Sequence, residues 1–155
     1  MDENLGTMLA QVSRLMRRSF DEAARSIGVT RPQWQVLSVL GSSPGIHQGG
    51  LADILEVEPI TAARMIDRLQ EAGLVERRAD PADRRAWRLF LTARGEELGG
   101  QLQPCAANTL DSAFDGIDTA DQERLRAMLG RIRANLSRKV QAVASEAVSP
   151  ARETG

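Results

Sequence analysis

Residues 58–92, EPITAARMIDRLQEAGLVERRADPADRRAWRLFLT, carry two periodicities in succession. Ala62, Met65, Ile66 and Leu69 recur at helical spacing on one face, while Thr61, Arg64 and Arg68 fall on the other. Pro59 opens the helix at a position where its missing N–H costs nothing, and Gly73 supplies the stop. Leu74 and Val75 then begin a short strand that passes through Arg77 and Arg78 to turn residues at Asp80-Pro81-Ala82-Asp83. Leu89 and Leu91 share one face of the returning strand. A helix followed at once by a basic hairpin is a DNA-docking shape, in which the helix enters the major groove and the hairpin reaches a neighbouring groove or the backbone.

The distribution of charge favours this reading more than its total does. With 20 basic and 21 acidic residues the chain is nearly neutral, so net charge predicts nothing about nucleic acid. Between positions 77 and 94, however, Arg77, Arg78, Arg84, Arg85, Arg88 and Arg94 face only Asp80 and Asp83. Acidic residues gather instead at the N-terminus and between Glu96 and Glu123. Lys139 is the only lysine, and the planar arginine fork suits phosphates, guanine edges and narrow minor grooves. The plain alternative is a solvated basic face, which the position directly after an amphipathic helix disfavours.

The remaining sequence is mostly helical. Leu5, Met8, Leu9, Val12, Leu15, Met16 and Phe20 mark a first amphipathic helix ending near Gly28. Thr30 caps a second, with Gln33 at the capping-box position, Pro32 in the first turn, and Trp34, Leu37 and Leu40 as its buried stripe. A short third helix over residues 48–55 is expected to bury Leu51, Ile54 and Leu55. With the helix opening at Pro59 it makes a helix-turn-helix. After the hairpin, two long helices are predicted over 93–114 and 119–145, the first kinked at Pro104. Their apolar stripes extend beyond what a small winged helix can cover, and a second copy of the chain is the economical partner. Residues 146–155 lack periodicity and are expected to be disordered.

Other function classes find little footing. No apolar run approaches the ~20 residues that span a bilayer, and the acidic start MDENLGTMLAQ has the wrong charge order for a signal peptide. A single cysteine, Cys105, requires no oxidising compartment, so the expectation is a soluble cytoplasmic protein. His47 is the only histidine, and no metal-ligand spacing, phosphate loop or nucleophile motif appears. The expectation is therefore no enzyme, no metal and no cofactor, with His47 in a surface or phosphate-contact role and Cys105 a buried, inert thiol.

The element order and the run LADILEVEPITAARMIDRLQEAGLVERRADPADRRAWRLFLTARG resemble the MarR family of bacterial transcription regulators, from about Leu5 to Arg138. The sharpest element is Asp83-Arg84-Arg85, then Leu91-Thr92 and Arg94-Gly95, which looks like the family's wing signature. The opening Glu58-Pro59-Ile60-Thr61 looks most like the SlyA-type branch. The resemblance implies a mainly α fold with a small β-wing: a winged helix-turn-helix over about 30–92, with dimerisation helices at about 5–28 and 93–145. It also implies a homodimer on double-stranded DNA with a pseudo-palindromic operator, acting as a repressor that a small aromatic or amphipathic effector releases.

By the same resemblance, Pro59, Ile60, Thr61 and Arg64 occupy the groove-facing turn. Arg64 has the chemistry to grip guanine, and Thr61 to meet phosphate or thymine. Arg68 suits phosphate or, equally, an ion pair with Asp67 or Glu71. Asp83 is expected to orient the wing by pairing with an arginine, to cap its turn, or both; Arg84 and Arg85 form the wing tip, with Arg85 entering the minor groove. An effector pocket is expected where the first, second and fifth helices meet, with Arg14, Arg17 and Trp34 as candidate lining. The competing assignment makes Trp34 plain core and both arginines solvated or dimer-supporting. Two further classes stay open: a winged-helix protein–protein interaction module, and a helical dimer whose basic hairpin grips an anionic substrate.

Overall fold

The computed structural model describes residues 4–147 and divides into two units, one running through Ala113 and one beginning at Phe114. In the first, α1 (Leu5–Ser26), α2 (Arg31–Ser42), α3 (Gln48–Leu55) and α4 (Pro59–Glu71) precede β1 (Val75–Ala79), β2 (Trp87–Leu91) and α5 (Ala93–Ala113). The second holds α6 (Thr119–Ala147). Mainly helical with one antiparallel strand pair, this is the expected winged-helix class.

The boundaries follow local chemistry. Asn4 caps α1 through a side-chain bond from the Gly6 N–H at 2.7 Å. Thr30 and Gln33 form the expected capping box of α2, the Thr30 N–H donating to Gln33 Oε1 at 3.0 Å. Pro59 opens α4 and Gly73 closes it at φ +73°, where only glycine is free of strain. Asp118 caps α6 by accepting from the Asp121 N–H at 2.8 Å.

The core lies between α2, α3, α4 and the hairpin. Leu37, Leu40, Leu51, Ile66, Leu89, Val36 and Val75 are its largest fully buried side chains, and truncating a leucine of this kind to alanine costs about 2–5 kcal/mol. Val36 was not in the expected α2 stripe; it joins because α2 is covered on more than one side, by α4, α5 and β2. Ile54 corrects another expectation. It is 55% exposed, and α3 buries Leu51 and Ala52 in its place. A helix of two turns turns too narrow a face inward to bury three large residues.

β1 and β2 pair in register from Val75 with Leu91 to Ala79 with Trp87. A third segment joins them: the Leu89 N–H donates to the Ile46 carbonyl at 3.0 Å, and the Gly45 N–H donates to the Leu89 carbonyl at 2.9 Å. The chain before α3 thereby satisfies the outer edge of β2.

Two apolar stripes stay uncovered. On α1, Leu5, Met8, Leu9, Val12 and Leu15 are exposed; on α6, Met128, Leu129, Ile132, Leu136, Val140 and Val143 are exposed as well. α5 runs through Pro104 without interruption, and α6 extends to Ala147, two residues beyond its expected end. The tail expected to be disordered is therefore helical at 146–147, and its remainder, 148–155, lies outside the described residues. No helix among the described residues is long and apolar enough to cross a membrane.

Candidate nucleic-acid interface

α4 places Pro59, Ile60, Thr61, Arg64 and Arg68 in solvent because Ala62, Ile66 and Leu69 take its inward face. Ile60 is 63% exposed, an apolar side chain at a helix start with nothing over it. Arg64 and Arg68 have no side-chain partner among the described residues. The expected alternative for Arg68, a pair with Asp67 or Glu71, is not formed; Asp67 is engaged by Arg77 at 2.7 Å instead. Glu58 stands at the N-cap of α4 without bonding through its side chain.

At the tip of the wing two carboxylates fold the chain back on itself. The Ala82 N–H donates to Asp80 Oδ1 at 2.9 Å and the Arg85 N–H to Asp83 Oδ1 at 3.0 Å, consecutive Asx turns closed by the Asp80 N–H to Ala86 carbonyl bond at 3.1 Å. Of the two roles open to Asp83, the structure shows turn capping; no arginine side chain pairs with it among the described residues. Arg84 and Arg85 are exposed and likewise unpaired there.

The other arginines of the basic run are engaged by the protein. Arg77 reaches from β1 to Gln48 Oε1 at 3.3 Å, Gln70 Oε1 at 2.9 Å, the Ala63 carbonyl at 3.3 Å and Asp67. Arg78 bonds Glu76 and lies 4.2 Å over the Phe90 ring, a cation–π contact across the hairpin. Arg88 approaches Asp80 at 3.7 Å, and Arg94 donates to the Ala72 carbonyl at 3.3 Å.

His47 proves to be a wing-base residue. Its Nε2 lies 2.5 Å from Asp80 Oδ2, joining the start of α3 to the end of β1. That bond, then the Ala82 N–H, holds the Asp80 carboxyl below the usual range; slight desolvation opposes them and the Arg88 charge adds to them. A contact across 33 positions leaves no mark in a single sequence.

The signature Leu91-Thr92…Arg94-Gly95 acquires a mechanical meaning. The Thr92 hydroxyl donates to the Gly73 carbonyl at 2.6 Å and accepts from the Gly95 N–H at 3.1 Å, capping α5 while tying it to the end of α4. A Cβ at Gly95 would stand 2.0 Å from the Leu74 carbonyl oxygen. Glycine alone lets α5 start this close to β1.

A cavity of about 680 Å³ opens among α1, α2, the hairpin and α5. Phe20, Leu37, Phe90 and Leu102 give it apolar walls, and Arg78 and Glu96 give it charge. The expected lining is not there: Arg14, Arg17 and Trp34 do not border it. Arg14 and Arg17 are solvent-exposed on α1. Trp34 packs edge-on against Phe20 at 4.6 Å, and its indole N–H donates to Asp21 Oδ1 at 2.7 Å. Asp21 also receives Arg31, through Nε at 2.7 Å. Burial pushes the Asp21 carboxyl up, but the Arg31 and Trp34 bonds with the Arg31 and Arg25 charges outweigh it, and its pKa is lowered. The sequence missed Arg78 on β1 and Glu96 in the first turn of α5 because their direction depends on how the hairpin and α5 pack together.

Cys105 is half-buried, its Sγ 3.7 Å from the Ala23 carbonyl. Among the described residues no group of three or more His, Cys, Asp or Glu side chains is placed to hold a metal ion.

Comparison with known proteins agrees with this architecture. Residues 27–86, from the end of α1 to the wing tip, match the sequence profile of the MarR family. The HTH-type transcriptional regulator YybA of Bacillus subtilis (strain 168) is 29% identical over 114 residues, covering 74% of this chain and 76% of that one. The crystal structure of the transcriptional regulator SlyA superposes with TM-score 0.79 at 24% identity, over 91% of this chain and 99% of that one. A cysteine-to-serine mutant of MarR from E. coli, complexed with operator DNA, superposes with TM-score 0.72 at 24% identity, over 83% and 92%. At such identities the two structures speak for the fold, and the profile and YybA add a likeness in sequence. Over residues 27–86 the chain is thus similar to the MarR family of transcription regulators, and it shares the winged helix-turn-helix fold of the solved MarR and SlyA structures.

Proposed function

We propose that the protein is a homodimeric, sequence-specific repressor whose α4 reads the major groove and whose wing tip enters the minor groove. The observation that carries this is the fate of the arginines. Arg64 and Arg68 on α4 and Arg84 and Arg85 on the wing tip are exposed and unpaired among the described residues, on the two elements that a winged helix presents to DNA. Four cations kept free of ion pairs suit ligands that supply their own negative charge. Pro59, Ile60 and Thr61 bring the first turn of α4 to the bases, Arg64 takes guanine O6 and N7, and Arg68 takes phosphate. Asp83 acts through the turn that aims Arg84 and Arg85.

The winged helix over about 30–92 is the reading head, and the helices over about 5–28 and 93–145 form the dimer. The uncovered stripes of α1 and α6 support this part, since each exposes a run of large apolar side chains that a monomer would leave in water. Two heads about a twofold axis then read half-sites roughly 10 bp apart. A small aromatic or amphipathic effector suits the cavity beneath Phe20, Phe90 and Arg78, whose volume of about 680 Å³ lies in the range of ligand sites. By linkage, an effector that weakens operator binding binds the DNA complex less tightly than the free dimer.

A gel-shift titration against the DNA flanking the protein's own gene, at several salt concentrations, tests the reading. It is expected to give one shifted species with dyad-symmetric protection. Sequence-independent binding alone, or a monomer in light scattering at micromolar concentration, would overturn it.

A further inference from the structure

Arg77 belongs to the basic run by sequence, yet its surroundings are those of an internal strut. Its side chain is 18% exposed, and it holds groups on two other elements. Nε meets Gln48, the first residue of α3; the terminal nitrogens meet the Ala63 carbonyl, Asp67 and Gln70, spread along two turns of α4. One guanidinium thus joins β1 to both helices of the helix-turn-helix. No lysine could replace it there, because a single ammonium cannot present separate donors along an edge this long.

We infer that Arg77 is a positioning residue for DNA recognition: it locks the pose of α4 against the wing, so that Arg64 and the Arg84–Arg85 tip engage one duplex together. The inference rests on the DNA-binding reading proposed above. Leu89 and Asp80 tie the hairpin to the chain before α3, and Thr92 ties its end to Gly73, but among these contacts only those of Arg77 reach the body of α4 from the hairpin. Its bonds to Ala63, Asp67 and Gln70 grip α4 along two turns and so fix the angle between α4 and the wing. Asp67 lies between Arg64 and Arg68 in sequence and is 59% exposed, so it holds Arg77 at the edge of the surface assigned to DNA. Its negative charge would be a liability there unless the strut required it.

That last point gives the test its sign. If Arg77 were a phosphate contact, Asp67→Asn would remove a repulsion and tighten binding to any duplex. If Arg77 is a strut, Asp67→Asn loosens it and weakens binding to the preferred duplex. The probes are a duplex selected by the unaltered protein from a randomised pool, and a scrambled duplex of equal length and composition. Arg77→Met is expected to weaken the selected duplex about tenfold or more while leaving the scrambled one within about twofold, as lost charge-assisted bonds in a positioning role imply. Asp67→Asn is expected to weaken the selected duplex severalfold, and the double variant to bind no worse than Arg77→Met, the non-additivity of a shared contact.

Hydrogen exchange in the free protein supplies the readout that needs no DNA. Amides of the wing and α4 are expected to exchange about tenfold faster in Arg77→Met, and by a smaller factor in Asp67→Asn, which takes the charge from one bond on the exposed side. Unchanged exchange in both variants, equal weakening of both duplexes by Arg77→Met, or tightening by Asp67→Asn would each overturn the inference. Should the unaltered protein select no duplex, the DNA-binding reading fails, while exchange still decides whether the strut exists.

Discussion

The base and the tip of the wing are built from the same residue type and do opposite things with it. At the base, Arg77 is shared among four acceptors, Arg78 lies on Phe90 beside Glu76, and Arg88 leans on Asp80, which also holds His47. At the tip, Arg84 and Arg85 have no side-chain partner among the described residues; their geometry is set through the backbone, by Asp80 and Asp83 accepting from main-chain N–H groups. A basic run is therefore not a uniform patch. Partnered arginines fix a shape, and unpartnered ones are left to meet a charge from outside.

Four substitutions probe that division, beginning at the base. Gly95→Ala drives a Cβ to within 2.0 Å of the Leu74 carbonyl oxygen, a backbone atom held by its bond from the Thr92 N–H at 3.1 Å. Stability is expected to fall by about 3 kcal/mol or more, read as a lower urea midpoint, since backbone cannot step aside as a flexible side chain would. A midpoint within a few tenths of the parent's would show that α5 and β1 separate at little cost.

On the free side, Arg64→Ala is expected to leave the melting temperature unchanged and to cost about 1–3 kcal/mol of operator binding, with discrimination lost at one base position per half-site. Uniform weakening across all bases would reassign Arg64 to phosphate. Arg85→Ala is expected to do less in affinity, mainly on sequences with a narrow A·T-rich minor groove, and to reduce the salt slope. Normal binding with an unaltered slope would remove Arg85 from the groove.

The smallest effect belongs to pH. Asp80 has its pKa depressed in the folded protein, so its contribution is full above the unfolded carboxylate pKa of about 3.9 and is lost as pH falls through the lower folded value. Asp80→Asn should therefore lose wing protection in hydrogen exchange at neutral pH and show less further loss than the parent in acid. Asp21, lowered for a different reason, has the same sign and serves as an internal control away from the wing. Parallel acid profiles for parent and Asp80→Asn would mean that the His47–Asp80 contact contributes nothing to the wing.

What the sequence made legible, and what it hid, divides along similar lines. Boundaries set by local chemistry were readable: the Thr30–Gln33 box, Pro59, Gly73 and Asp118 each act within four residues of themselves. So were helix faces with strong periodicity, such as Ala62, Ile66 and Leu69. Contacts between distant segments were not. His47 with Asp80 and the reach of Arg77 into α3 and α4 depend on how the hairpin folds against the helices. The cavity among α1, α2, the hairpin and α5 is lined by residues other than Arg14, Arg17 and Trp34, and the bond of the Trp34 indole N–H to Asp21 is a contact that spacing alone does not reveal. An arginine in a sequence gives its charge; only its neighbours in space say whether that charge is already spent.

The most direct measurement compares the salt dependence of duplex binding by the unaltered protein with that of a variant carrying Ala at Arg64, Arg68, Arg84 and Arg85. The unaltered protein should show log K falling steeply and linearly with log salt. The variant, with an unchanged melting temperature, should show a slope shallower by about 3–4 for each protomer bound, each lost phosphate or groove contact removing about 0.9. An unchanged slope and affinity in the folded variant would contradict the account, because the four arginines without side-chain partners among the described residues would then have none on DNA either.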